Sequence, residues 1–147
     1  MTNNSSAKGR IVVGVDGSPC SILALQRARP IADALGWGID AVAAWQYPSY
    51  LGAGIAGELR PDDDARKFLD DAIEAAFGSE EPADIKKVVT HGYPSQILIE
   101  ASAEAEMLVV GSRGHGGFTG LLLGSVSAQC TEHAHCPVLV VHSRDHH

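Results

Sequence analysis

Aromatic residues make up only 5% of this 147-residue chain: two Trp, three Tyr and three Phe. A core with so few rings must be built from Val, Ile, Leu and Ala, the side chains of buried strands and small helix faces. Cysteine is scarce as well. Cys20, Cys130 and Cys136 are an odd number, which argues against a disulfide framework and makes a reducing cytoplasm the expected compartment. No apolar run approaches the roughly 18 residues needed to span a bilayer, so no membrane partner is expected. Positive charge is also short, with 11 Lys and Arg against 18 Asp and Glu and a net charge of −7. Without a Lys/Arg stripe, such a chain repels a nucleic-acid backbone, and no nucleic-acid partner is expected. Gly-Lys-Ser/Thr does not occur, which excludes a Walker phosphate loop.

The length suits one domain burying about two-thirds of its unfolded surface. The polar start, MTNNSSAKGR, lacks the apolar segment of a signal peptide, so export is not expected. The reading is a flexible leader over residues 1–9, a domain over residues 10–142 and a short tail over residues 143–147. Ten of the 18 acids fall between Glu58 and Asp84 against three bases, which reads as one solvated acidic face.

Residues 10–16, RIVVGVD, form a β-branched run ending in Asp-Gly-Ser, the pattern of a buried strand and a turn. Ser18 then supplies an N-cap and Pro19 a first-turn proline, and the helix they start should stop at Gly36. Pro30 deletes a backbone hydrogen bond within it, which predicts a kink or an early break. Residues 39–45 read as a second strand, and residues 46–61 as a long connection rich in Gly and Pro. Ala65, Phe68, Leu69, Ala72, Ile73, Ala76 and Phe77 share one helix face, with Asp62, Asp63 and Asp64 in a first turn that favours negative charge. Further strands are expected at residues 86–91, 107–110 and 138–141, and helices at 94–103 and 125–134. Strands buried on both faces alternating with helices are the mark of a parallel sheet wrapped by helices.

The fourth strand runs into GSRGHGGFTGLLLGSVS, residues 111–127, with six glycines in its first fourteen positions. Glycine at that density serves turns that need positive φ or the close approach of a ligand. In such sheets ligands bind at the carboxyl ends of the strands, where Asp16 and Gly111 can face each other. Gly124-Ser125-Val126-Ser127 falls where the last helix begins, so its free N–H groups and two hydroxyls suit a phosphate.

The spacing Gly111-x2-Gly114-x9-Gly124-Ser125 resembles the signature of the nucleotide-binding branch of the universal stress protein family. IVVGVDGSPCSILAL, GYPSQILIEASAEAEMLVVGSRGHGG and LLLGSVSAQCTEHAHCPVLVV extend the likeness over residues 10–142. Pro30 departs from the usual first helix, and Glu106-Met107 stands where the family favours Asp-Leu. The resemblance implies a single-domain α/β fold of flavodoxin-like (Rossmann-like) type: a five-stranded parallel sheet in the order 3-2-1-4-5, with helices on both faces and ATP as ligand. By position, it places Gly14, Val15 and Asp16 beside the nucleotide and Ala43 and Ala44 against adenine. Gly111, Ser112, Arg113, Gly114, His115, Gly116 and Gly117 would wrap ribose and phosphates, and Gly124, Ser125, Val126 and Ser127 would hold the phosphate chain. It also implies a homodimer paired along the fifth strand, residues 138–141, an apolar edge that needs cover.

Asp16 facing a triphosphate is repulsive unless a Mg²⁺ bridges the two, so metal-assisted binding is expected, with Arg113 and His115 as the nearby positive charges. One metal and one arginine are a poor kit for hydrolysis, and no catalytic residue is legible. The expected function is therefore an ATP-binding stress-response module, with a regulatory partner the sequence does not identify. A slow Mg-dependent ATPase and a nucleotide-free structural dimer are the alternatives. Cys130, His133, His135 and Cys136 lack the spacing of a zinc site and read as helix-end and core residues. Cys20 reads as a quiet thiol.

Overall fold

Alternation along the strands decides the architecture. In the computed structural model, which describes residues 8–47, 60–114 and 123–143, the first strand β1 spans Arg10–Gly14 and β2 spans Gly38–Trp45. Ile11, Val13, Ile39, Ala41 and Ala43 face one side of the sheet, and Val12 and Val42 the other. The strands β3 (Ile85–His91), β4 (Met107–Gly111) and β5 (Val138–Val141) complete a sheet in the order β3-β2-β1-β4-β5. All four pairings are parallel, as the alternation of strands and helices requires. The flavodoxin-like fold expected from the sequence is the one observed.

Among the described residues, four helices lie on the two faces. The first face carries α1 (Pro19–Leu35) and α2 (Pro61–Phe77), the second α3 (Pro94–Ser102) and α4 (Ser125–His133). Ala24, Leu25, Ala28 and Ala32 bury the inner side of α1, and Ala65, Leu69, Ala72 and Ile73 that of α2. Small residues let the helices sit close to the β-branched sheet, which is how a chain with few rings fills its interior. Burial on both faces holds for β1 and β4; β3 is an edge strand and leaves Lys86, Lys87 and His91 exposed.

Local chemistry fixes the helix ends. Ser18 caps α1 by accepting the Ser21 N–H, and Gly36 ends it in the left-handed region at φ 72°. The expected break at Pro30 does not occur, since α1 continues to Leu35. Pro30 and Gln26 are both on the solvent side, so water can satisfy the Gln26 carbonyl that the proline leaves without its helical partner. The C-terminal end of α2 has no basic residue of its own. It borrows donors from α1: Gln26 Nε2 lies 3.4 Å from the Ala76 carbonyl, and the Arg29 guanidinium donates to the Glu80 carbonyl and sits over the Phe77 ring.

Arg10 staples the amino ends of three elements. Its guanidinium reaches Asp40 Oδ1 at 2.6 Å, Asp84 Oδ2 at 2.7 Å and the Ile39 carbonyl at 3.0 Å. Burial works to lower its pKa, but hydrogen bonds and charge from Asp84 and Asp40 outweigh that and hold it above the usual arginine value. Lys8 and Gly9 already join the fold here, through Lys8 N–H to Gly36 and Gly38 N–H to Gly9. Residues 1–7 of the expected leader and 144–147 of the tail lie outside the described residues.

Candidate functional site

Strand order reverses between β1 and β4, and at their carboxyl ends a cavity of about 230 Å³ opens. Its walls come from six places. The end of β1 and its turn give Gly14, Val15 and Asp16; the start of α1 gives Ser18 and Ser21. Val42 and Ala44 of β2 and Pro94, Ile97 and Leu98 of α3 form an apolar wall with Val110. Gly111, Arg113 and Gly114 close the β4 side, and Gly124, Ser125, Val126 and Ser127 bring the start of α4.

Three helix N-termini thus border one cavity, since Pro94 is the first residue of α3, and those of α1 and α4 differ. The start of α1 has internal acceptors for the Ser18 and Ser21 N–H groups. The Asp16 carboxylate accepts the Ser18 N–H at 2.9 Å, Ser18 Oγ accepts the Ser21 N–H at 3.3 Å, and Pro19 has no N–H to offer. At α4 the N-cap is Gly124, which supplies no side chain, and no side-chain cap is made. The first-turn amides of α4 keep the donor capacity and partial positive charge of a helix start.

The glycines work by proximity. Neither Gly111, Gly114 nor Gly124 has positive φ. A Cβ at Gly111 would lie 2.5 Å from Cys20 Cβ and 2.9 Å from its carbonyl carbon, and one at Gly114 would overlap Asp16 Oδ2. Their absent side chains let β4 close on the start of α1 and let the following turn close on the acid.

Most of the sequence-assigned residues meet at this cavity; two do not line it. Ala43 points to the opposite face and packs into the α1/α2 core, because alternation turns its neighbours Val42 and Ala44 toward the cavity instead. The Ser112 side chain is buried, 4% exposed, outside the lining. His115, Gly116 and Gly117 lie outside the described residues, as do residues 48–59 of the connection after β2. Sequence reasoning missed Ser18, Ser21, Val42, Pro94, Ile97, Leu98 and Val110. The signal for Ser18 and Ser21 was present, since a cap on a helix that starts at the switch point must border it.

Charge at the cavity is sparse. Asp16 and Arg113 are the charged residues among the described lining, and no lysine is among them. Among the described residues no three His, Cys, Asp or Glu side chains gather as a metal site. The cysteines are free thiols; burial pushes that of Cys130 up to about 11. No helix among the described residues is long and apolar enough to cross a membrane.

Comparison with known proteins agrees with this architecture. The model of the universal stress protein family matches residues 8–142. A universal stress protein of Mycolicibacterium smegmatis is 34% identical over 139 residues, covering 91% of this chain and 46% of that protein. One from Mycobacterium tuberculosis is 32% identical over 152 residues, covering 99% of this chain and 51% of its own length. The chain spans about half the length of the curated relatives it matches. Among solved structures, UspA of Lactobacillus plantarum superposes with a TM-score of 0.77 at 21% identity, covering 92% of this chain and 99% of that one. A universal stress protein solved in complex with cAMP is 32% identical, with a TM-score of 0.58 over 93% of this chain and 98% of that one. A family protein from Arabidopsis thaliana with AMP bound gives 0.59 at 18% identity, over 93% of each chain. The chain belongs to the universal stress protein family.

Proposed function

We propose that the cavity binds an adenine nucleotide, ATP in the full form of the reading, and that the chain acts as a nucleotide-dependent stress-response module. The observation that carries this is the pairing of an uncapped helix start at α4 with an apolar wall in one cavity. Phosphate suits the first and a flat base the second. The 32% identical family member in complex with cAMP supports adenine as the base.

In this reading Val42, Ala44, Pro94 and Ile97 hold the base, while Gly14, Val15, Asp16, Gly111, Arg113 and Gly114 border ribose and phosphates. Ser125 and Val126 present the phosphate-binding amides, and Gly124, whose own N–H donates to the Ser112 carbonyl, borders them without a side chain in the way. The residues present fit a Mg²⁺ carried in by the phosphates. Asp16 is one carboxylate at the phosphate end, with no further acidic lining residue to make a protein cage among those described. When bound, the ion would offset the charge between Asp16 and the phosphates. With Arg113 the one cation in the described lining, charge developing on a transferred phosphoryl group has little to stabilise it, which supports binding with little or no turnover.

The edge position of β5 supports a second part of the reading, a homodimer paired along Val138–Val141. Sedimentation at micromolar concentration tests it: a dimer is expected, and a monomer removes it.

Calorimetry with adenosine, AMP, cAMP and ATP, each with and without Mg²⁺, tests the site. Binding of the phosphorylated ligands well above adenosine is expected, with Mg²⁺ tightening ATP. No heat with any of them would overturn the reading. ADP accumulating from ATP, and lost in Asp16→Ala, would replace binding with slow hydrolysis.

A further inference from the structure

The two serines at the start of α4 look equivalent in sequence and are not equivalent in the structure. Ser125 is exposed at the cavity; Ser127 is 2% exposed. Ser127 Oγ lies 3.0 Å from the Ser112 carbonyl and 3.1 Å from the Gly124 carbonyl. A hydroxyl has one proton, and a carbonyl can only accept. That proton is therefore committed to the main chain, and the lone pairs that remain would repel a phosphate oxygen.

The Ser112 carbonyl is a node. It also accepts the Gly124 N–H at 2.7 Å, while Ser112 N–H donates to the Val141 carbonyl at 2.8 Å. One buried residue thus joins the end of β4 to β5 and to the start of α4. The chain between Ser112 and Gly124 carries the glycine-rich segment, and its two ends are held together at this point.

We propose that Ser127 is a positioning residue that clasps the Ser112 carbonyl and fixes the start of α4 against the end of β4, and that Ser125 alone of the two meets the ligand. The clasp keeps the α4 amides at a set distance from Arg113 and Gly114, so the ligand does not have to order them on binding. This rests on the nucleotide reading of the cavity for its consequence, but the clasp itself can be measured without ligand. Losing the hydroxyl does not orphan the Ser112 carbonyl, because Gly124 N–H still reaches it, so the fold should survive.

The test uses the whole chain as Ser127→Ala, Ser127→Thr and Ser125→Ala. In ligand-free protein, hydrogen exchange at the Gly124 amide should speed up about tenfold in Ser127→Ala. It should stay unchanged in Ser125→Ala and be restored in Ser127→Thr. In AMP titrations both alanine variants should weaken binding, and the threonine variant should recover it. Unchanged Gly124 exchange in Ser127→Ala overturns the clasp, and weakened AMP binding alongside it would assign Ser127 to direct contact. Faster exchange in a protein whose wild type binds no nucleotide would leave the clasp standing and overturn the reading of the cavity together with the role in binding. Ser127→Cys, a weaker donor of similar size, gives the same exchange readout if the alanine variant does not fold.

Discussion

Gly114 lies against the carboxylate of Asp16 so closely that a Cβ at position 114 would overlap Oδ2. The other carboxylate oxygen is held by the Ser18 N–H at 2.9 Å. To make room for a methyl group, Asp16 must turn and give up that bond. Gly114→Ala should therefore cost about 1 kcal/mol. It should cost close to nothing in an Asp16→Ala background, a coupling that a double-mutant cycle by urea denaturation reads directly. Full additivity would show that the turn and the acid are not in contact.

The remaining glycines of the motif separate fold from ligand. A Cβ at Gly111 meets Cys20, backbone included, so Gly111→Ala should destabilise by about 1–3 kcal/mol as an overpacked site. A Cβ at Gly124 finds its nearest neighbours at 3.6 Å, ordinary contact, and the backbone there is extended at φ −74°. Gly124→Ala should leave stability within about 0.5 kcal/mol. Because the new methyl stands at the uncapped start of α4, AMP affinity should fall all the same. Unaltered affinity would move the phosphate away from α4.

At the other end of the sheet, Gly38 makes room for the Arg10 guanidinium, which would overlap a Cβ there. Removing the cation leaves Asp40 and Asp84 facing each other across the space that Arg10 fills. Arg10→Met should cost about 1–3 kcal/mol, less than a fully buried pair because all three side chains keep some contact with water. Gly38→Ala should cost a similar amount, and the double variant should fall short of the sum. Thermal or urea unfolding checks all three.

Periodicity made the sheet legible in advance. Ile11, Val13, Ile39 and Ala41 alternate with Val12 and Val42, and that alternation survives folding because β1 and β2 sit between two helix layers. The Ser18 cap and the Gly36 stop were readable for the same local reason. What stayed hidden was orientation at the site. Ala43 and Ala44 look alike in sequence, and only the pleat decides that Ala44 meets the cavity. Ser125 and Ser127 look alike too, and only the fold leaves Ser125 exposed while it buries Ser127 beside the Ser112 carbonyl. The wall from Ile97 and Leu98 was hidden too, since apolar residues of a helix face read as core whether or not a cavity borders them.

Pro30 offers a stability gain. The helix runs through it, so the backbone at position 30 already has a helical shape, and its side is exposed. An N–H placed there could reach the Gln26 carbonyl. Pro30→Ala should raise stability by about 1–3 kcal/mol, limited by the proline's stiffening of the unfolded chain. A lowered melting temperature would mean that the ring itself packs against something the fold requires.

Alkaline pH should find the Cys130 thiol. It is fully buried in the α3/α4 face, and burial raises its pKa from the ordinary 9.0 to about 11. Between those values the unfolded chain gives up this proton and the folded chain keeps it, so the folded state binds more protons and stability falls as pH rises. The contribution is intact below about pH 9 and gone above about pH 11, with a total of about 3 kcal/mol for two pKa units. Cys136, raised by burial and by Glu106, titrates in the same direction and is left in place. Cys130→Ala should start less stable, from the cavity it opens, yet lose less between pH 8.5 and about 10.5 than the wild type. Urea midpoints across that range measure the difference. Parallel curves for the two proteins would show that the thiol ionises without unfolding the helix that buries it.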